Sequence, residues 1–119
     1  MPRPLVIMVP TRDARKDPRG GLTAAGRAYW NAQGANLRPG VMRIESLEDM
    51  RRRGSFLVRH YKGAFNERKP LVDAKGRPTR HALQAQAWGK KVPRTLADVR
   101  RLAAEGARLL ATYHRRKAG

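Results

Sequence analysis

Apolar residues recur at three- and four-residue intervals in two stretches of this chain and almost nowhere alternate every second position, so the pattern predicts helices rather than a sheet. In the first stretch Leu47, Met50, Gly54, Leu57, Val58 and Tyr61 form one stripe over residues 47–62. Ser46 stands before it as N-cap, and Asp49 takes the third position of an approximate capping box. Gly54 costs a helix interior about 1 kcal/mol relative to alanine, which marks a kink or the close approach of another backbone. In the second stretch Leu96, Val99, Leu102, Ala103, Gly106, Leu109, Leu110 and Tyr113 define a long amphipathic helix to about His114. Thr95 and Asp98 repeat the capping pattern, and Arg115, Arg116 and Lys117 complement the negative end of the helix dipole.

Two shorter helices are punctuated rather than periodic. Thr23 caps AAGRAYWNAQ, which Gly34 stops, and Thr79 caps RHALQAQAW, which Gly89 stops. Between the elements, Pro39 and Gly40 interrupt the chain, and residues 63–78 read as a loop rich in Gly, Pro, Lys and Arg. Residues 1–22, with three prolines and adjacent glycines, read as an extended basic arm with at most a short strand at Leu5–Val9. The expected fold is therefore mainly α: one small domain of about four short-to-medium helices with an extended N-terminal arm and basic loops. Its divisions are an arm at 1–22, a small helical basic domain at 23–89, and a C-terminal amphipathic helix with a basic tail at 90–119. At 119 residues, 40% of them apolar and many of those alanine, the chain builds one modest core.

Charge changes the picture most. The chain carries 27 Lys and Arg against 9 Asp and Glu, a formal net charge of +18, and self-repulsion of that size is relieved by a polyanion. Arginine predominates, which suits bidentate phosphate or guanine contacts. No stretch approaches the ~20 apolar residues of a membrane-spanning helix, so no membrane partner is expected. With no cysteine, disulfides, thiolate metal sites and a cysteine nucleophile are excluded.

Catalysis finds little material. The carboxylates are scattered beside arginines, the three histidines are isolated, and no phosphate-binding glycine loop or nucleophile elbow occurs. His60 and His81 lack a second ligand at i+3 or i+4, so neither reads as a metal ligand, and no cofactor is expected. The expectation is a protein that is not an enzyme.

The candidate nucleic-acid contacts come from three segments. In RRRGSFLVRHYKG at 51–63, Arg52, Arg53, Arg59 and His60 project away from the apolar stripe. Glu48 and Asp49 stand at i,i+4 to Arg52 and Arg53, worth ~0.2–0.5 kcal/mol per pair, which leaves Arg51, Arg59, His60 and Lys62 as the candidates. Residues 18–44 are free of acids and hold Arg27 and Arg38. Residues 74–97 are equally acid-free and contribute Lys75, Arg77, Arg80, Lys90, Lys91 and Arg94. There KGRPTR leads into a helix start, where unbonded backbone N–H groups would join the cations around a phosphate. Tyr29, Trp30, Tyr61 and Trp88 offer rings that stack on bases, but in so small a core packing is their more ordinary use.

Three stretches taken in order carry a resemblance: GGLTAAGRAYWNAQGANLRPGV at 20–41, RRRGSFLVRHYKG at 51–63, and PLVDAKGRPTRHALQAQAWG at 70–89. Together they resemble a small, uncharacterised basic domain that recurs in bacteriophage and large-virus proteins. Leu57 and Lys90 stand where such proteins often carry cysteine, so no metal role carries over. The resemblance implies a phage-type accessory protein, placed in a virion or the host cytoplasm. Charge and resemblance together lead to the expectation of a non-enzymatic nucleic-acid-binding protein that grips phosphates with little sequence specificity, DNA favoured over RNA. The alternative is a structural accessory of a capsid, tail or ribonucleoprotein particle whose basic loops meet acidic protein surfaces. Residues 90–119 lie beyond the resemblance.

Overall fold

The computed structural model describes residues 14–119, and the strand expected at Leu5–Val9 lies outside them. The described chain is mainly helical, with no strand beyond two isolated antiparallel bridges, Lys16 with Leu22 and Val72 with Pro78. It divides into two compact units: one of residues up to Asp17 with Leu22–Pro39, the other of Pro18–Gly21 with Gly40–Gly119.

The first unit is built around α1 (Ala24–Asn31). Thr23 starts it as expected: its Oγ1 accepts from the Gly26 amide at 3.0 Å and donates to the Ala14 carbonyl at 2.6 Å. The segment before the helix therefore lies against its first turn. Gly26 makes that possible, since a Cβ there would stand 2.1 Å from the Arg15 carbonyl oxygen. The Arg15 guanidinium covers the Tyr29 ring at 4.4 Å and reaches Trp30 at 5.7 Å. Asn31 closes the helix, its side chain accepting from the Leu37 amide at 2.6 Å and donating to the Leu37 carbonyl at 3.0 Å.

In the second unit α2 (Leu47–Tyr61) runs antiparallel to the last helix, α5 (Leu96–Ala118). Both caps form as the sequence dictates. Ser46 accepts from the Asp49 amide at 3.1 Å, and Thr95 with Asp98 completes a reciprocal capping box. The helices cross at two glycines: a Cβ on Gly106 would lie 2.7 Å from Leu57 Cβ and 2.9 Å from the Gly54 carbonyl oxygen. Gly54 thus marks a close backbone approach. α5 continues to Ala118, past the expected end near His114, because its cationic last turn suits the carbonyl end of a helix.

The core joins Phe56, Leu57, Tyr61, Ala85, Val99 and Leu102, with Trp88, Leu71, Ala103 and Leu109 against it. Phe56 lies off the stripe that faces α5. It is buried instead against the turn after α4 (Arg80–Leu83), where its ring stacks on Trp88 at 4.5 Å and on His60 at 4.3 Å. That turn, Gln84–Trp88, is a 3-10 helix closed by Gly89 in the left-handed region. Tyr61 is fully buried and its hydroxyl donates to the His81 carbonyl at 2.9 Å.

One helix was not legible as such. Residues 63–78 contain a single turn, α3 (Ala64–Glu67), and its Asn66 donates to the carbonyls of Arg59 at 3.0 Å and Lys62 at 2.7 Å. Asn66 thereby satisfies the open carbonyl end of α2. Asn66→Ala removes both bonds from a buried site and is expected to cost about 1–3 kcal/mol, read as a lower urea midpoint; an unchanged midpoint would refute this role.

Candidate nucleic-acid interface

An interface for a polyanion is made of the cations left over once the acids have been used, so the carboxylates come first. Asp49 and Asp98 cap: each accepts from backbone amides before its helix, Glu45 at 3.1 Å and Arg94 at 3.0 Å respectively. Asp73 holds a tight turn by accepting from the Lys75 and Arg77 amides, both at 2.9 Å. These backbone bonds keep the Asp73 and Asp98 carboxyls below the ordinary range. The glutamates pair across or along helices: Glu48 with Arg51 at 2.5 Å, Glu67 with Arg100 at 3.1 Å, and Glu105 with Lys90 at 2.9 Å.

Several of the expected contact residues have partners within the chain itself. Arg51 was read as lacking a partner, yet it bridges Glu48 three residues back, a spacing as close on a helix as i,i+4. Arg53 does not answer Asp49; its guanidinium donates to the carbonyls of Val41 and Met42 at 3.1 and 2.7 Å and ties the preceding loop to α2. The stretch at 74–97 is acid-free in sequence but not in space. Asp73 reaches Arg77 at 3.4 Å, and Glu105 on α5 takes Lys90.

The start of α4 offers no phosphate cradle either. Thr79 accepts from the Ala82 amide, the Lys75 and Arg77 amides are held by Asp73, and Arg80 turns inward to the Gly21 carbonyl at 2.5 Å. Arg27 likewise donates to the Leu22 carbonyl at 2.7 Å.

Among the remaining expected residues, Arg38, Arg59, Lys62, Lys75, Lys91 and Arg94 are exposed. Lys90, Lys91 and Arg94 come together with Arg101 along a groove of about 710 Å³ between residues 86–94 and the first turns of α5, although Asp98 and Glu105 also line it. Arg59 stands beside His60, with Lys69 and His81 close enough to act on it electrostatically.

His60 is not a cation at neutral pH. Burial beside Phe56, reinforced by Arg59, His81 and Lys69, pushes its pKa down to about 4. Burial also lowers His81. Because the unfolded imidazole titrates near 6.5, the unfolded chain takes up protons first. The stability held above about pH 6.5 is therefore lost as pH falls toward 4. The thermal midpoint is expected to fall over that interval and His60→Gln to flatten the fall in part; a midpoint constant from pH 7 to 4.5 would contradict the burial.

The rings divide as packing requires. Tyr61 is core, Trp88 is half-buried on Phe56, and Trp30 is 42% exposed. The most exposed large ring, Phe65 at 75%, was missed; Lys69 Nζ lies 4.8 Å from its centre. A phenylalanine in KGAFNERK, with Arg68 and Lys69 at i+3 and i+4, is the signal that could have found it. Among the described residues no cluster of His, Asp and Glu suits a metal ion, and no helix is long and apolar enough to cross a membrane.

The stretches that carry the resemblance turn out to hold the fold together. GGL places Gly20 where a Cβ would stand 1.8 Å from the Leu83 carbonyl oxygen, AGR brings Gly26 against Arg15, and PTR supplies the Thr79 cap and the inward Arg80. Comparison with curated proteins and with solved structures returns no match. A domain of unknown function, DUF6321, matches residues 15–88, which include nearly all of those stretches. With more than half of its length matched, the chain belongs to the DUF6321 family.

Proposed function

We propose that this chain is a non-enzymatic protein that binds nucleic acid through its phosphates, DNA in preference to RNA and with little sequence specificity. The observation that carries the reading is the use made of the acids. Asp49, Asp73 and Asp98 serve caps and a turn, and Glu48, Glu67 and Glu105 pair with Arg51, Arg100 and Lys90, within a chain of net charge +18. What stays exposed is overwhelmingly cationic, and a phosphate backbone neutralises such a surface by releasing its own counterions. Arg59, Lys62, Lys75, Lys91 and Arg94 are the contacts among the expected residues, and the resemblance to phage and large-virus proteins supports an accessory role in a virus particle.

The test is a titration of the purified chain with random-sequence duplex DNA and, separately, with polyglutamate at equal charge concentration. The reading expects binding to DNA and much weaker binding to polyglutamate; equal or tighter binding to polyglutamate would replace nucleic acid with an acidic protein surface. Lys75→Gln and Arg94→Gln each remove one phosphate contact and are expected to make the salt dependence shallower by about 0.9 in slope. Slopes identical to the parent chain would remove these two residues from the interface.

A further inference from the structure

The solvent side of α5 has a regular composition that the core does not require. Ala97, Ala104 and Ala111 stand exposed at seven-residue spacing, and Arg101, Arg108 and Arg115, also exposed, repeat at the same spacing beside them. Seven residues are two turns, about 10.5 Å of rise, so a smooth alanine column is flanked by an arginine every two turns. No carboxylate is exposed on the helix. Asp98 is half-buried and engaged in its capping box, and Glu105 is half-buried and held by Lys90. Arg101 touches Asp98 at 3.2 Å and Arg115 touches Thr112 at 3.1 Å, both loose surface contacts.

Resting on the nucleic-acid reading above, we propose that α5 lays this face in the major groove of duplex DNA, the arginines reaching the phosphates and the alanines letting the helix enter. The charge decides the class of occupant. A second copy of the helix would set arginine columns together with no acid between them, and a bilayer surface would meet no large apolar side chain to insert. The shape decides the form of nucleic acid. B-form DNA has a major groove about 12 Å wide that admits a helix, whereas the major groove of duplex RNA is deep and narrow. The alanines matter because a helix with bulky side chains all round is itself about 10–12 Å across. The whole of α5 lies beyond the residues that match DUF6321, so this contact belongs to the chain's own C-terminal part.

The experiment measures binding of the full chain to duplex DNA, duplex RNA and single-stranded DNA of one sequence across a salt series. The triple variant R101Q/R108Q/R115Q alters only exposed helix positions, with a residue of similar helix propensity. Its salt slope on duplex DNA is expected to be shallower by about 2–3. The pair A104L/A111L leaves the charge untouched and is expected to weaken duplex DNA binding about tenfold while single-strand binding is unchanged. If both variants match the parent chain on duplex DNA, the face is not the contact, although the nucleic-acid reading stands. If the alanine pair has no effect, or duplex RNA is bound with the same variant sensitivity, the groove is wrong; if the parent chain binds none of the three, both readings fall.

Discussion

Gly106→Ala is expected to destabilise the chain by about 1–3 kcal/mol, the usual cost of forcing atoms into a filled contact. The sign is the informative part, because at an ordinary helix-interior position the same change would stabilise by about 1 kcal/mol. Here the new methyl would sit 2.7 Å from Leu57 Cβ, 2.9 Å from the Gly54 carbonyl oxygen and 3.0 Å from the Val58 amide nitrogen. All three atoms are backbone or fixed directly to it, so relief requires α2 and α5 to move apart. Gly54→Ala should cost less, since its Cβ would meet the Leu110 Cγ at 3.0 Å, which can shift, and the fixed Gly106 carbonyl oxygen and Leu109 Cβ only at 3.0 and 3.2 Å, farther than the 2.7 and 2.9 Å at Gly106. Urea unfolding of both variants checks the order. A stabilising Gly106→Ala, or Gly54→Ala as the more damaging change, would contradict the crossing.

The helices themselves were readable from the sequence because their signals are local. Ser46, Thr79 and Thr95 each accept the amide bond that an N-cap is meant to accept, and the two longest apolar stripes face one another. What could not be read was anything set by distance in space rather than along the chain. Phe56 looked like an off-stripe residue because the surface that buries it arrives some 30 positions later, with Trp88. Lys90 stood in an acid-free stretch until the fold brought Glu105 to it. His60 has every appearance of a surface group beside Arg59, and it is burial, reinforced by the neighbouring cations, that removes its charge. Asn66 gave no hint of its role because a single helical turn has no period, and its partners are carbonyls, which a sequence does not display.

The candidate interface was legible in kind and not in detail. Net charge is a sum, so it survives any folding, whereas the identity of the surplus cations depends on where each carboxylate goes. Of the residues singled out, Arg27, Arg51, Arg77, Arg80 and Lys90 proved to be held by carbonyls or acids of the chain itself. The apolar stripe of α5 is plain in the sequence, and its exposed polar face is equally patterned.

The largest expected effect concerns salt. With six or more phosphate contacts, each worth a slope of about −0.9 on duplex DNA, the logarithm of the affinity should fall about fivefold faster than the logarithm of the salt concentration. Between 50 and 200 mM salt that amounts to a loss of about a thousandfold, more than any single substitution in the fold is expected to produce. Contacts made through apolar surface or through specific base edges alone would not respond in this way. The most direct measurement is therefore the affinity of the full chain for random-sequence duplex DNA over that range. A slope of about −5 or steeper is the result predicted, and a flat isotherm would contradict the account.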